Sequence, residues 1–167
     1  NHALLADDMG TGKTVMTLVA LKLLMRSGKV SKALIICPPS VLFEWQQHIA
    51  DWTPEMVACL VRGVPNSRKI EWNTPAHIYL TSYDTLRSDV RNGIMPRDKW
   101  NSFDVVVVDE AHHIKNLQSD RSRAINKLTP IYRWALTGTP IQNKIEDMAA
   151  IFQFVYPGYI TQFDFYE

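Results

Sequence analysis

The sequence has little of what is typical of secreted, membrane-spanning or strongly basic proteins. It contains two cysteines in 167 residues, Cys37 and Cys59, and they form no CxxC pair. We interpret both as reduced core residues and expect an intracellular, reducing compartment. No apolar run reaches the ~18 residues of a membrane span, and no signal peptide is visible. The net charge is only +1, so any nucleic-acid surface must be local.

Apolar residues make up 46% of the chain, which is enough for the core of one domain. Short apolar runs predict six strands: Ala3–Ala6, Ala33–Cys37, Val57–Val61, His77–Thr81, Val105–Val108 and Tyr132–Leu136. The valine run of the fifth strand has no polar alternation, which is typical of a strand buried on both faces of a parallel sheet.

Longer amphipathic stretches between these runs predict helices at Lys13–Arg26, Val41–Asp51, Ser122–Leu128 and Ile145–Val155. Ser40 is the expected N-cap of the second helix. Ser88–Asn101 is polar and irregular, and predicts a loop. The alternation of strands and helices predicts an α/β fold, with a central parallel sheet and helices on both faces.

A glycine-rich stretch follows the first predicted strand and opens the first predicted helix. It consists of Gly10, Thr11, Gly12, Lys13 and Thr14. Glycines let a backbone approach phosphates closely, and a helix N-terminus favours an anion. The lysine is placed to reach the β and γ phosphates, and the last threonine hydroxyl to bind Mg²⁺. The stretch therefore predicts a phosphate-binding loop.

Two acidic residues follow the valine strand, at the edge of the sheet where ligands bind in open α/β folds. Asp109 suits a magnesium ligand, and Glu110 suits a residue that orients the attacking water. His112 is placed to couple this site to a neighbouring motif, whereas His113 is interpreted as a solvated residue. The two histidines lack metal-ligand partners in the sequence, which argues against a zinc site.

The order of these motifs resembles the first motor lobe of a superfamily-two helicase, with LTGTPIQN (Leu136–Asn143) as its third element. Further segments narrow the resemblance to Swi/Snf-type ATPases. LADDMGTGKT is similar to that family's ADEMGLGKT loop, and DEAHHIKN (Asp109–Asn116) to its DEAHxxKN. LIICPPSVLFEWQQHIADW (Leu34–Trp52) resembles CPxSLxxW, and LTSYDTLRSD (Leu80–Asp89) resembles TSYxxL. The resemblance covers nearly the whole chain.

The resemblance implies a P-loop NTPase of RecA-like fold, with residues 1–167 as one ATP-binding lobe and the second lobe absent. It implies ATP and Mg²⁺ as cofactors, duplex DNA as the favoured partner, and Glu110, Lys13 and Asp109 as catalytic residues. Thr14 and Asp109 would hold the metal. The implied location is the cytoplasm or nucleoid for a bacterial or viral protein and the nucleus for a eukaryotic one.

Other positions take roles from the same resemblance. His112, Thr137, Gly138 and Thr139 would couple the nucleotide state to the nucleic-acid site. Ser40, Thr81 and Ser82 would offer donors to a sugar-phosphate backbone. Trp45 and Trp52 are interpreted as core or lobe packing. Two basic groups fit either a solvated face or a DNA contact: Arg87, Arg91, Arg97 and Lys99, and Lys115, Arg121, Arg123 and Lys127.

The first loop departs from the general GxxxxGK[ST] pattern, because Asp7 stands where that pattern has glycine. Asp8 and Thr11 replace the commoner glutamate and leucine of the resembled family. We expect the two carboxylates to point away from the phosphates, and hypothesise that one of them orients Lys13 or a magnesium-bound water. A strand-separating helicase, a nucleotide-gated scaffold and a small-molecule kinase remain alternative functions.

Overall fold

The structure is a computed structural model that describes residues 2–8, 10–114, 116, 118–138 and 145–158, with the backbone alone over 145–147. Its six strands are β1 (Ala3–Leu5), β2 (Ala33–Cys37), β3 (Ala58–Val61), β4 (Ile78–Ser82), β5 (Val105–Val108) and β6 (Tyr132–Leu136). They form one sheet in the order β1-β6-β5-β2-β4-β3, and every neighbouring pair is parallel. The predicted parallel sheet is confirmed.

The α-helices are α1 (Lys13–Arg26), α2 (Leu42–Trp52), α3 (Pro65–Asn73), α4 (Tyr83–Arg91), α5 (Asp120–Asn126) and α6 (Ile145–Val155). Single 3₁₀ turns lie at Pro39–Val41, Arg97–Asn101 and Ala111–Ile114. Across the part of the chain that the structure describes, no helix combines the length and apolarity that a membrane crossing requires.

The helices divide between the two faces of the sheet, as expected from the sequence. Buried side chains of α1 and α2 pack on one face, and those of α3, α4, α5 and α6 pack on the other. The division follows from handedness: the chain moves from β1 toward β3 with helices on one face and returns to β6 with helices on the opposite face. Right-handed crossovers require this switch of faces.

Parallel strands bring the loops that follow them to one edge of the sheet. The glycine-rich loop follows β1, the Pro39–Val41 turn follows β2, and α4 begins directly after β4. Asp109 continues from β5, and its N–H donates a hydrogen bond of 2.8 Å to the carbonyl of Ile36 in β2. This edge is where open α/β sheets bind ligands.

The predicted N-cap of α2 is wrong. Ser40 lies inside the Pro39–Val41 turn, and the N-cap position belongs to Val41, which makes no side-chain capping bond. The cause is local: Pro39 fixes its own φ and starts a 3₁₀ turn in which the N–H of Val41 bonds the carbonyl of Pro38. The chain therefore enters α2 from a turn, without a serine cap.

Several strand and helix ends differ from the prediction by one or two residues, and the helices differ notably at three places. The expected loop at Ser88–Asn101 begins inside α4, whose apolar Tyr83, Leu86 and Val90 face the core at helical spacing. Helix α5 starts two residues early, because the Ser119 hydroxyl accepts the N–H of Ser122 and caps the helix. Helix α3 was not predicted: it is short and polar, and its buried residues are Arg68 and Trp72.

Candidate functional site

The glycine-rich loop has the backbone conformation of an anion-binding loop. Gly10 and Gly12 adopt φ angles of +79° and +83°, which side chains with a Cβ rarely tolerate. Gly12 is the N-cap of α1 and, having no side chain, makes no capping hydrogen bond to the first turn of that helix. The N-terminal N–H groups of α1 thus lie at the sheet edge with the positive end of the helix dipole.

Lys13 is held inside this loop by main-chain oxygens. Its Nζ donates hydrogen bonds of 2.8 Å to the carbonyls of both Asp7 and Asp8, and the Thr11 hydroxyl donates to Asp8 at 2.9 Å. The side chains of Asp7 and Asp8 are exposed. In this structure the carbonyls of these two residues, and not their carboxylates, orient Lys13. The alternative, that a carboxylate orients a magnesium-bound water, stays a prediction.

Asp109 is a partly buried carboxylate that accepts two hydrogen bonds. Its Oδ2 accepts the indole N–H of Trp45 at 2.7 Å, and its Oδ1 accepts the backbone N–H of Glu110 at 2.9 Å. Burial raises the pKa of Asp109, and it outweighs these two bonds, which lower it. A nearby cation would stabilise the charged form of this carboxylate.

Glu110 has an unusual backbone for its residue type, with φ at +50°. Positive φ at a non-glycine residue is uncommon and concentrates at functional sites. Its Oε2 lies 3.2 Å from Nδ1 of His112, yet neither atom makes a well-aligned hydrogen bond within the described residues. The glutamate therefore presents an acceptor oxygen beside Asp109 and next to a histidine ring.

These groups line one open cleft of about 430 Å³. The first wall is the loop, with Gly10, Gly12, Lys13 and Thr14, and the second is the acidic pair that follows β5. The third wall was not predicted: it consists of Val41, the N-cap of α2, and of Glu44, Trp45 and His48 on one face of that helix. Their spacing of i, i+3, i+4 and i+7 is visible in the sequence. With two polar residues among the four, however, this spacing also fits a solvated helix face.

The residues predicted to contact nucleic acid lie at the same edge of the sheet, but they differ in solvent exposure. Ser40 is exposed on its turn. Thr81 is fully buried, and its hydroxyl donates to the carbonyl of Val61 at 3.1 Å, so the expectation that it offers this hydroxyl to a phosphate is wrong. Ser82 is buried and caps α4 by accepting the N–H of Thr85.

Of the predicted coupling residues, His112 and Thr137 lie beside the acidic pair and the loop. The ring of His112 packs against that of His113 with centroids 4.5 Å apart, and His113 in turn lies 5.3 Å from the ring of Tyr83, with both pairs tilted. His113 is thus half-buried between two rings, which corrects its interpretation as a solvated residue. Thr137 is buried, and its N–H donates to the carbonyl of Leu5, at the end of the strand that leads into the loop. Gly138 follows, and Thr139 lies outside the described residues.

The two basic groups of the sequence partly merge in space. A groove between α4 and α5 is lined by Arg87, Arg91, Arg123 and Lys127, together with Asp120. Arg121 does not line this groove. It forms a bidentate ion pair with Asp84, with Nε 3.1 Å from Oδ1 and Nη2 2.9 Å from Oδ2. Lys115 lies outside the described residues.

The fold and the site define the class of a P-loop, RecA-like nucleotide-binding domain. The chain belongs to the SNF2-related domain family, whose model matches residues 1–167. It is 34% identical to the TATA-binding protein-associated factor MOT1 of Saccharomyces cerevisiae, over 95% of this chain and 9% of that protein. It is 32% identical to the chromatin-remodeling ATPase INO80 of Lodderomyces elongisporus, over 98% of this chain and 11% of that protein.

A solved structure shares the fold. The Sulfolobus solfataricus SWI2/SNF2 ATPase core in complex with dsDNA is 35% identical, with a TM-score of 0.80, over 93% of this chain and 31% of that one. The chain thus spans a small part of the proteins that it matches. The resemblance to Swi/Snf-type ATPases and the predicted RecA-like fold are both confirmed.

Proposed function

We propose that this chain is the first ATP-binding lobe of a DNA-dependent ATPase that moves along duplex DNA and remodels protein-DNA complexes. The observation that carries the proposal is the convergence of Lys13, Thr14, Asp109 and Glu110 on one cleft in a chain of the SNF2-related family. The relatives support it by what their names state: a chromatin-remodeling ATPase and an ATPase core bound to dsDNA.

The loop binds the triphosphate in this proposal. Backbone N–H groups at Gly10 and Gly12 and the N-terminus of α1 face the phosphates, and Lys13 neutralises their charge. Lys13 already lies in the cleft through its bonds to the Asp7 and Asp8 carbonyls, so binding exchanges two carbonyl acceptors for phosphate oxygens. The exposed carboxylates of Asp7 and Asp8 remain on the outer side of the loop.

The oxygen donors of the cleft fit a magnesium ion. Thr14 supplies a hydroxyl and Asp109 a carboxylate, and both line the cleft. Hard oxygen ligands completed by phosphate and water are what Mg²⁺ prefers. When bound, the ion supplies charge neutralisation on the phosphate oxygens. Partial burial raises the pKa of Asp109, which is consistent with a carboxylate that shares its site with a cation.

Glu110 is the residue we assign to the attacking water. Its Oε2 is a buried acceptor at the cleft. A carboxylate there orients the water for in-line attack on the γ-phosphate and accepts its proton. His112, at 3.2 Å from the same oxygen, limits the orientations of that side chain.

The nucleic-acid edge is proposed to lie along the turn after β2 and the start of α4. Ser40 is exposed there, whereas Ser82 contributes through the helix N-terminus that it caps. Thr137 bonds Leu5 at the entrance to the loop, which links the coupling segment to the nucleotide side. The basic groove between α4 and α5 is a further candidate for phosphate contact.

A second lobe completes the site in this proposal. The matched SWI2/SNF2 core is about three times as long as this chain, which covers 31% of it. Arginines supplied across a nucleotide cleft are worth on the order of 10³–10⁵ in rate in related phosphoryl transfer. The 167-residue chain alone should therefore bind ATP weakly and hydrolyse it poorly.

The alternative is a superfamily-two helicase that separates strands. The full-length protein is tested on a triplex, whose third strand is displaced by movement along intact duplex, and on a forked duplex. ATP-dependent displacement of the third strand without fork opening supports the translocase. Opening of the forked duplex would instead show that the protein is a strand-separating helicase.

A further inference from the structure

Asp109 is bonded from both faces of the sheet by aromatic side chains. Trp45 of α2 is buried at 1% exposure, and its indole N–H donates to the carboxylate at 2.7 Å. Tyr83, the first residue of α4, is buried too, and its hydroxyl donates to the backbone carbonyl of Asp109. Trp45 belongs to the core under α1 and α2, and Tyr83 to the core on the opposite face.

Each aromatic residue is tied closely to one of the loops assigned to nucleic acid. Trp45 follows the Pro39–Val41 turn within the first turn of α2. Tyr83 follows Ser82 directly, at the end of β4. Both connections are short, because a 3₁₀ turn or a single peptide bond joins the loop to a helix packed on the sheet. We therefore expect a shift of either loop to move a hydrogen-bond donor at Asp109.

We infer that Trp45 and Tyr83 are positioning residues that hold Asp109 from opposite faces of the sheet and connect the two strand-end loops to its carboxylate. The inference deepens the proposed function and rests on its assignment of Asp109 as a magnesium ligand. Partners that orient a metal-ligating group matter because they fix the group before the ion arrives. Trp45 acts on the carboxylate itself and Tyr83 on the backbone that carries it.

A buried indole N–H or phenol hydroxyl usually finds a hydrogen-bond acceptor in a protein core. Core packing alone can therefore produce such bonds at places that have no role in the site. This chain contains both kinds of bond away from the cleft. Trp72, fully buried, donates its indole N–H to Asp89 at 2.8 Å. Tyr79 donates its hydroxyl to the carbonyl of Thr74. The two pairs provide matched controls for the loss of one buried bond.

The test uses the full-length protein with Trp45→Phe and Tyr83→Phe, and with Trp72→Phe and Tyr79→Phe as controls. Calorimetry measures the affinity for ADP with and without Mg²⁺, and turnover measures the Mg²⁺ concentration at half-maximal rate, with and without duplex DNA. Trp45→Phe should weaken the magnesium-dependent part of ADP binding about tenfold. Magnesium-free binding should weaken by a smaller factor, because Trp45 also lines the cleft and the phenyl ring keeps most of that apolar wall. Tyr83→Phe should lower the stimulation by DNA about fivefold.

The control variants should lose thermal stability and keep the wild-type magnesium requirement. Trp45→His restores a ring N–H at the cost of core volume, so it should recover part of the magnesium response while remaining less stable than wild type. Equal magnesium requirements in Trp45→Phe, Trp72→Phe and wild type would overturn the inference.

Failure of the proposed function gives a different result. In that case the wild-type protein itself shows no DNA-stimulated turnover. The magnesium dependence of ADP binding then still tests Trp45, because it needs neither DNA nor hydrolysis.

Discussion

Nζ of Lys13 donates a 2.8 Å hydrogen bond to the backbone carbonyl of Asp8, so the loop that would bind phosphate supplies its own acceptor for the lysine. The carbonyl of Asp7 accepts a second bond at the same distance. The two carbonyls keep the ammonium in the cleft. Acidic residues are compatible with the loop at this point because their main chain faces inward and their side chains are exposed.

Replacing Lys13 by alanine should weaken ATP binding about 10- to 100-fold, since a hydrogen bond to a charged group contributes about 1.5–3 kcal/mol. The unfolding free energy should change little, because both carbonyl acceptors lie in an exposed loop. Fluorescent-nucleotide titration measures the affinity. Lys29→Ala, at an exposed site beyond the other end of α1, is the control. Equal affinities for the two variants would contradict the assignment.

Replacing Glu110 by glutamine should lower turnover at least 100-fold, because the amide keeps the shape of the side chain and loses the proton acceptor. Nucleotide affinity should stay within about threefold of wild type, since Glu110 is assigned to water and not to phosphate. Glu44→Gln is the matched control, as it removes a carboxylate from the α2 wall of the same cleft. If the Glu110→Gln variant still remodels protein-DNA complexes at the wild-type level, the protein is a nucleotide-gated scaffold and the assignment of Glu110 is contradicted.

The buried Arg68–Asp89 pair should dominate the stability of the α3–α4 side. Nε and Nη2 of Arg68 each lie 2.8 Å from Oδ1 of Asp89, whose carboxylate is fully buried and also accepts the indole N–H of Trp72. Asp89→Ala leaves the guanidinium buried without its partner, and should cost about 3–5 kcal/mol. Asp84→Ala, which breaks the more exposed pair with Arg121, should cost under about 1 kcal/mol. Urea unfolding measures both, and similar losses would refute the ranking.

Asp104 should make stability depend on pH. Burial acts to raise the pKa of Asp104, but hydrogen bonds from the Ser31 N–H and hydroxyl and the Lys32 N–H outweigh it, and the pKa falls below its usual range. A lowered pKa stabilises the fold above the unfolded value of about 3.9, and this stabilisation is lost as the pH falls through the lower folded value.

Asp104→Asn should therefore destabilise the protein near neutral pH and have a smaller effect near pH ~3. The measurement is the free energy of unfolding in urea at the two pH values. Asp98→Asn, at an exposed position, is the control and should change little at either pH. A difference between Asp104→Asn and wild type that stays constant with pH would contradict the prediction.

The sheet and the loop were predictable because their signals are local and redundant. β5 is four valines, and α1 runs from Lys13 to Arg26 as its apolar spacing indicates. α3 was not predictable in the same way. It is stabilised by Arg68 contacting Asp89, twenty-one residues away, and no periodicity reveals such a pair.

The site shows the same division. The roles of Lys13, Thr14, Asp109 and Glu110 follow from short motifs, and the structure brings all four to one cleft. The bond between Trp45 and Asp109 joins residues 64 apart, so the sequence shows only an apolar side chain at a helical core position. Burial of the Thr81 hydroxyl was equally hidden, because it depends on the neighbouring strand β3.

The most direct test of the proposed function is the ATPase rate of the full-length protein with no nucleic acid, single-stranded DNA, duplex DNA and RNA, at one fixed salt concentration. We predict strong stimulation by duplex DNA and little stimulation by single-stranded DNA or RNA. Stimulation chiefly by single strands or RNA, or a rate that no nucleic acid changes, would contradict it.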